Sequence, residues 1–226
     1  DTVSATFIAQ TAGKLSNDYA IGTVSVILDP QPYLATASNT SVTVGGSDEE
    51  IDEQLRDRIK LAPSAFSNAG SYKAYEFWTK STSPLIIDVA VTNPIPGTVE
   101  IFPLMANLTA TPTEILDAVF AVLSSEKIRP LTDTVLVTSP TAVDTAITVG
   151  LILYDGAVQG DILPIVIANL EAFRDGRRKL LGQDIVIDQI KALCMIDGVY
   201  KANVTVPASD LVITETQFAN ITAINV

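Results

Sequence analysis

Up to Gly46, apolar and polar residues alternate in short runs. "TVSATFIAQ", "IGTVSVIL" and "TSVTVGG" are rich in Val, Ile and Thr and are broken by "SND", "DPQP" and "GG". That texture predicts strands and turns. In "GTVSVIL", Thr23, Ser25 and Ile27 alternate with Val24, Val26 and Leu28, which gives one packed face and one wetter face. The period then changes. In "GGSDEEIDEQLRDRIKLAP", Ile51, Leu55 and Ile59 form a narrow apolar stripe at helical spacing. Ser47 and Glu50 stand where a capping box would put them, acids lead, Arg58 and Lys60 follow, and Pro63 stops the helix.

Beyond it the pattern predicts a compact α+β unit. "GSYKAYEFWTKS" starts a helix with Tyr72, Tyr75, Glu76 and Thr79 on one side and Ala74, Phe77 and Trp78 on another. Two strands follow around the "NPIPG" turn: Ile87, Val89 and Val91 alternate with Asp88 and Ala90, and Val99 and Ile101 with Glu100 and Phe102. "TPTEILDAVFAVLSSEKI" predicts a helix with Thr111 as cap, Pro112 at the first helical position and Glu114 closing the box. Its buried face would be Leu116, Val119, Phe120 and Leu123. "RPLTDTVLVTSP" returns as a strand. The last stretch repeats this grammar in outline: a strand in "VDTAITVGLILY", a helix in "GDILPIVIANLEAFRDG" with Pro164 in its first turn, a short helix in "IVIDQIKALCMIDG", and strands in "VYKANVTV" and the C-terminal segment.

The fold class expected is therefore α+β and multi-domain: a β-rich segment over residues 1–46, a linking helix over 47–63, and small α+β domains over 64–138 and 139–226. The chain opens at Asp1 without a methionine, which suggests a trimmed start.

Composition narrows the chemistry. The 226 residues are 47 % hydrophobic, enough to bury real cores. The longest apolar runs fall short of the ~20 residues that cross a bilayer. Net charge is −12, from 26 acidic and 14 basic residues, a balance that repels phosphate backbones. The reading is no nucleic acid and no membrane. The densest basic cluster, "RDGRRK" from Arg174 to Lys179, reads as a solvated helix end, with an anionic partner patch as its rival. A single cysteine, Cys194, excludes an internal disulfide. No histidine is present, which removes Ser-His-Asp and Cys-His catalysis and the usual neutral-pH base.

Each candidate site has a plainer reading beside it. "SSEK", Ser124 to Lys127, matches S-x-x-K, yet falls at a helix C-terminus, where the dipole opposes an oxyanion, and lacks its partner motifs. Cys194 aligns with Ile187, Ile190 and Leu193 and reads as core. Trp78 with Tyr72 and Tyr75 reads as a set of half-buried anchors before a binding face. The acidic run after Gly46 lacks the spacing of a calcium loop. The four N-x-S/T triplets, at Asn39, Asn107, Asn203 and Asn220, mean little without a secretory signal. "LAPSAFSNAGSYKAYEFWTKS" holds four serines but no base for them, so it reads as a joint rather than a nucleophile loop. No catalytic, cofactor-binding or metal-ligating residue is assigned.

The order of local motifs says more. Gly45, Gly46, Asp48, Glu50, Asp52, Glu53, Leu55, Arg56 and Arg58 fit a G-G-x-D-x-E-S-D-E-x-L-R-x-R helix start. Ala62, Pro63, Phe66, Ser67, Ala69, Gly70, Ala74 and Tyr75 fit A-P-x-x-F-S-x-A-G-x-x-x-A-Y, and Arg129 to Asp133 supply R-P-L-T-D. Ile51 stands where serine is usual, a departure of no consequence. The chain thus resembles the baseplate J-like family of contractile phage tails and related contractile injection systems, over nearly its whole length and more loosely after Ala142.

That resemblance implies a non-enzymatic structural wedge subunit of the virion's tail baseplate, assembled in the host cytoplasm and rearranging on contraction. It would join the central hub to the sheath and the peripheral fibre network. Implied partners are other wedge subunits, including further copies of the chain, the hub or spike, and sheath-initiating and tail-fibre-network proteins. No cofactor is implied. "APSAFSNAG" would be the hinge. The rival readings are a tail-tip or host-binding module and a histidine-free hydrolase that uses paired carboxylates.

Overall fold

The structure is a computed structural model that describes residues 2–66, 71–125, 128–130 and 132–226. Two compact units divide the chain, Asp1–Arg56 and Asp57–Val226.

The first unit is extended and doubles back on itself. The Asp18 N–H donates to the Thr43 carbonyl, the Thr43 N–H to Tyr19 and the Gly22 N–H to Asn39. The Asn17 side-chain amide donates to the Gly46 carbonyl at 2.7 Å and accepts from the Gly46 N–H at 2.9 Å. Only glycine fits there, because a Cβ on Gly46 would sit 2.3 Å from the Gly13 carbonyl oxygen. The strands expected before Gly46 do not form among the described residues. A strand needs a continuous partner ladder and a packed face. Here the bonds are few, and Val26 and Leu28 remain largely exposed.

Helix α1 runs over Asp52–Leu61, starting later than its acidic prelude suggests. Asp48 pairs with Lys14 at 2.6 Å, and the Ile51 N–H is met by Gln54 Oε1 at 3.4 Å. A 3-10 turn over Ala62–Phe66 follows, beginning just before Pro63. The expected hinge continues into residues 67–70, which lie outside the described residues.

The second unit holds two α+β domains. In the first, α2 (Tyr72–Thr82) is capped by Ser71, whose Oγ accepts from the Ala74 N–H. Strands β1 (Ile86–Ile95) and β2 (Thr98–Met105) pair antiparallel around Gly97, whose φ of 83° suits the turn. Helix α3 (Thr113–Leu123) leads to β3 (Thr134–Val137), which lies parallel to β2. The sheet order is β1-β2-β3. One face packs on the helices through Tyr75, Ile86, Val99, Ile101, Met105, Val119, Leu123 and Val135. Two expectations for α3 are corrected. Phe120 is exposed, and Thr111 does not cap. Its Oγ1 donates to the Pro103 carbonyl and its N–H donates to Ser139 Oγ, so it ties the helix entry to β2 instead.

In the second domain, β4 (Thr141–Leu153) is central, with β5 (Val199–Val206) antiparallel on one side and β6 (Gln217–Asn225) parallel on the other. Helices α4 (Gln159–Arg177) and α5 (Ile187–Cys194) cover one face through Ile162, Val166, Leu170, Ile190 and Cys194. Pro164 falls in the second turn of α4, not the first, because the helix begins at Gln159. The two domains share a sheet design, a central strand with one antiparallel and one parallel neighbour, rather than the element order expected.

Candidate functional site: the joint between the two α+β domains

Alternation along β1 and β2, broken by a register shift between Ile86 and Asp88, leaves a second set of side chains on the sheet face away from α2 and α3, so Ile87 falls with Ala90 and not, as expected, with Val89 and Val91. That face meets the second domain. Leu104, fully buried, packs with Leu181 and Phe218, joined by Ile87, Ala90 and Leu108. Leu181 lies just past α4 and makes a bridge to Phe218 at the start of β6. The joint is therefore built from a β1–β2 hairpin on one side and the α4 exit plus a parallel strand on the other.

A charge sits inside it. Asp88 Oδ2 accepts from the Leu181 N–H at 2.8 Å, and Lys80 Nζ lies 3.9 Å from Asp88 Oδ1 and 2.8 Å from Glu76 Oε1. Burial pushes the Asp88 carboxyl above its ordinary value, against the Leu181 N–H and the Lys80 charge, which favour the ionised form. Glu76 and Asp88 converge on the lysine, not on an open cavity, so this network neutralises charge rather than presenting two carboxylates to a substrate. Beside it runs a groove of about 180 Å³, lined by Ile87, Ala106 and Leu108 from the first domain and Asp175, Arg178 and Lys179 from the second.

The structure places the other sequence candidates apart. Ser124 closes α3 with its N–H on the Phe120 carbonyl, as a helix end does, and Glu126 and Lys127 lie outside the described residues. Cys194 is buried in the second core, and burial pushes its thiol up to about 11. Trp78 packs half-buried against the first core and meets Phe77 edge-on, while Tyr72 is exposed. In "RDGRRK", Arg174 pairs with Asp175, and Arg177 binds Gln183 and Gln189 and lies over Phe173. Among the described residues no three carboxylates or thiols gather as a metal site, and no helix is long and apolar enough to cross a membrane. Sequence reading missed the joint. Its one signal was Asp88 within the otherwise apolar start of β1, Ile86 to Val91.

Comparison with known proteins adds to this geometry. The family model for the baseplate J-like central domain matches residues 67–139, and that for the baseplate J-like protein C-terminal domain matches residues 145–226. The chain is 33 % identical over 169 residues to "Baseplate protein J" of Escherichia phage P2, covering 74 % of this chain and 56 % of that protein. Among solved structures it is similar to a chain in the cryo-EM structure of the anti-feeding prophage baseplate, with a TM-score of 0.51 and 14 % identity. That match covers 91 % of this chain and 48 % of the other and speaks to the fold alone. The chain thus spans about half the length of these relatives.

Proposed function

The chain belongs to the baseplate J-like family, and on that premise we propose that it is a non-enzymatic structural subunit of the baseplate of a contractile injection system. In this reading it is a wedge component that joins the hub to the sheath and the peripheral fibre network. Its partners are other wedge subunits, further copies of itself, the hub or spike, and sheath-initiating and tail-fibre-network proteins. It assembles in the host cytoplasm, resides in the tail baseplate and rearranges on contraction.

The observation that carries this reading is the joint itself. Two small domains are fastened by a buried cluster and by the Asp88–Leu181 bond, and the ionisable groups there are spent on each other. A part that transmits displacement between neighbours needs such stiffness, and an enzyme would need a cavity with free acid and base groups. The groove beside the joint offers one carboxylate, Asp175, and Arg174 holds it well below the usual range.

The test is cryo-electron microscopy of purified intact tails from the source particle. Density for the chain in the ring between hub and periphery is expected. Its absence from every contractile particle of that source would overturn the assignment.

A further inference from the structure

We propose that the side chains of Lys80 and Asp88 become joined by an amide bond after the chain folds, with Glu76 relaying the protons. The bond goes beyond the assembly reading and stands or falls without it.

The three groups are already assembled. Lys80, in the last turn of α2, holds Nζ 2.8 Å from Glu76 Oε1, one helical turn earlier, and 3.9 Å from Asp88 Oδ1 in β1. Its flexible four-carbon stem can supply the remaining approach to the Asp88 carboxyl carbon. All three side chains are shielded, with 18 %, 28 % and 19 % of Lys80, Glu76 and Asp88 exposed. The pairs Lys14–Asp48, Lys60–Asp57 and Lys191–Asp188 instead leave each side chain at least 46 % exposed, so water screens them and competes for the carboxylate. At Asp88 the Leu181 N–H donates to Oδ2 at 2.8 Å, placed as a donor that steadies the oxyanion of an acyl transfer. Burial raises the Asp88 carboxyl and so favours the protonated acid, the form that can lose an oxygen as water.

The step balances. Glu76 takes one proton from the Lys80 ammonium and passes it to Asp88 Oδ1, leaving a free amine beside a neutral acid. The amine attacks Cγ, and the C=O electron pair moves onto Oδ2, toward the Leu181 N–H. Glu76 carries a second proton from the nitrogen to Oδ1. The Cγ–Oδ1 bond breaks, Oδ1 leaves as water, and the carbonyl re-forms at Oδ2. Nothing is oxidised or reduced, and Glu76 ends as the carboxylate it began as.

The product suits the site. A shielded ion pair becomes a neutral amide, which removes the desolvation cost of two charges, and its carbonyl oxygen still accepts from Leu181. In open water the separate acid and amine win. Shielding, and the high effective concentration of a pair held in place, favour the bond here. Helix α2 and strand β1 are then stapled covalently beside the interdomain joint. The event happens once per chain, so the ion pair is the newly folded state and Asp88 titrates until the bond forms.

Intact-mass spectrometry of the folded chain during prolonged incubation at physiological temperature reads this directly. A species lighter by one water is expected to accumulate. Trypsin should then fail to cut after Lys80, and a chymotryptic cut after Leu85 should leave the flanking fragments linked. Lys80→Arg, which keeps the charge, should abolish the loss, and Glu76→Gln should slow it by about tenfold or more. Circular dichroism checks that each variant folds, and Lys80→Arg carries the test if Glu76→Gln does not. A wild type that keeps its full mass overturns the proposal, as does a loss of water that survives Lys80→Arg. A loss that maps instead to a cyclic imide at Asp155–Gly156, Asp175–Gly176 or Asp197–Gly198 overturns it too. An unchanged rate in folded Glu76→Gln overturns the relay.

Discussion

The carboxylate of Asp88 in β1 accepts a 2.8 Å hydrogen bond from the backbone N–H of Leu181, beyond α4 in the other domain. It is a polar fastener inside an apolar joint. A buried ionised carboxylate is expensive, and here the expense is offset by a backbone donor and by Lys80, which also binds Glu76. Such a bond fixes orientation between domains more than it adds net stability.

Replacing Asp88 separates those two contributions. Asp88→Ala leaves the Leu181 N–H without its acceptor and should lower unfolding free energy by about 1–3 kcal/mol. Asp88→Asn keeps an acceptor without the charge and should be milder. The pH dependence has a definite sign. Because the carboxyl is raised in the folded state, it adds most to stability below its ordinary value of 3.8, and that contribution is lost as pH rises through the raised value. The wild type should therefore gain on Asp88→Asn as pH falls from neutral toward 4. Parallel melting curves for the two proteins across that range would dismiss the account.

Leu104 tests the apolar half of the joint. It is fully buried against Leu181 and Phe218, so Leu104→Ala should cost about 2–5 kcal/mol. Loss of this contact also uncouples the domains. Calorimetry of the variant should resolve two transitions where the parent shows one for these domains, and a single undivided transition in the variant would argue against coupling through Leu104.

The joint explains what could and could not be read from the sequence. The hairpin of β1 and β2 was legible because alternation and the "NPIPG" turn agree, and α2 was legible from the helical spacing that puts Tyr72, Tyr75, Glu76 and Thr79 on one side. Asp88 looked like an ordinary solvent-facing residue in that alternation, and only its partner 93 positions away makes it structural. Thr111 and Glu114 carry a convincing capping pattern, yet Pro103 and Ser139 compete for Thr111 through contacts no local window contains. The Val- and Thr-rich front promised strands, but strand propensity does not supply a partner ladder. The family, by contrast, was legible in short motifs at fixed order. Its work in assembly depends on surfaces that motifs do not mark.

Cys194 should be inert while the chain is folded. Burial holds its thiol near 11, so at pH 8 roughly one molecule in a thousand carries the thiolate that reacts. A disulfide-exchange reagent at pH 8 should label it only on unfolding, at a rate that follows the unfolding rate. Rapid labelling of native protein would mean the second core is open at α5.

Tyr75 gives a prediction of the same pH sense as Asp88, moved to the alkaline range. Its ring is buried in the first core, and its hydroxyl donates to Asp133 Oδ2 at 3.0 Å, tying α2 to the entry of β3. Tyr75→Phe removes that bond and should cost about 0.5–1.5 kcal/mol at neutral pH. Burial first, and Asp133 second, push the phenol well above its ordinary value of 10.0. The folded state therefore holds the neutral phenol, and the associated stability is full below pH 10 and is lost as the medium rises past it, because the unfolded chain can ionise there and the folded one cannot. Wild type should outlast Tyr75→Phe at pH 7, and the gap should narrow above pH 10. Absorbance at the tyrosinate band supplies an independent reading: one of the six tyrosines should ionise only when the protein unfolds. If the gap stays constant into alkali and all six titrate before unfolding, the Tyr75–Asp133 bond is not holding α2 to β3.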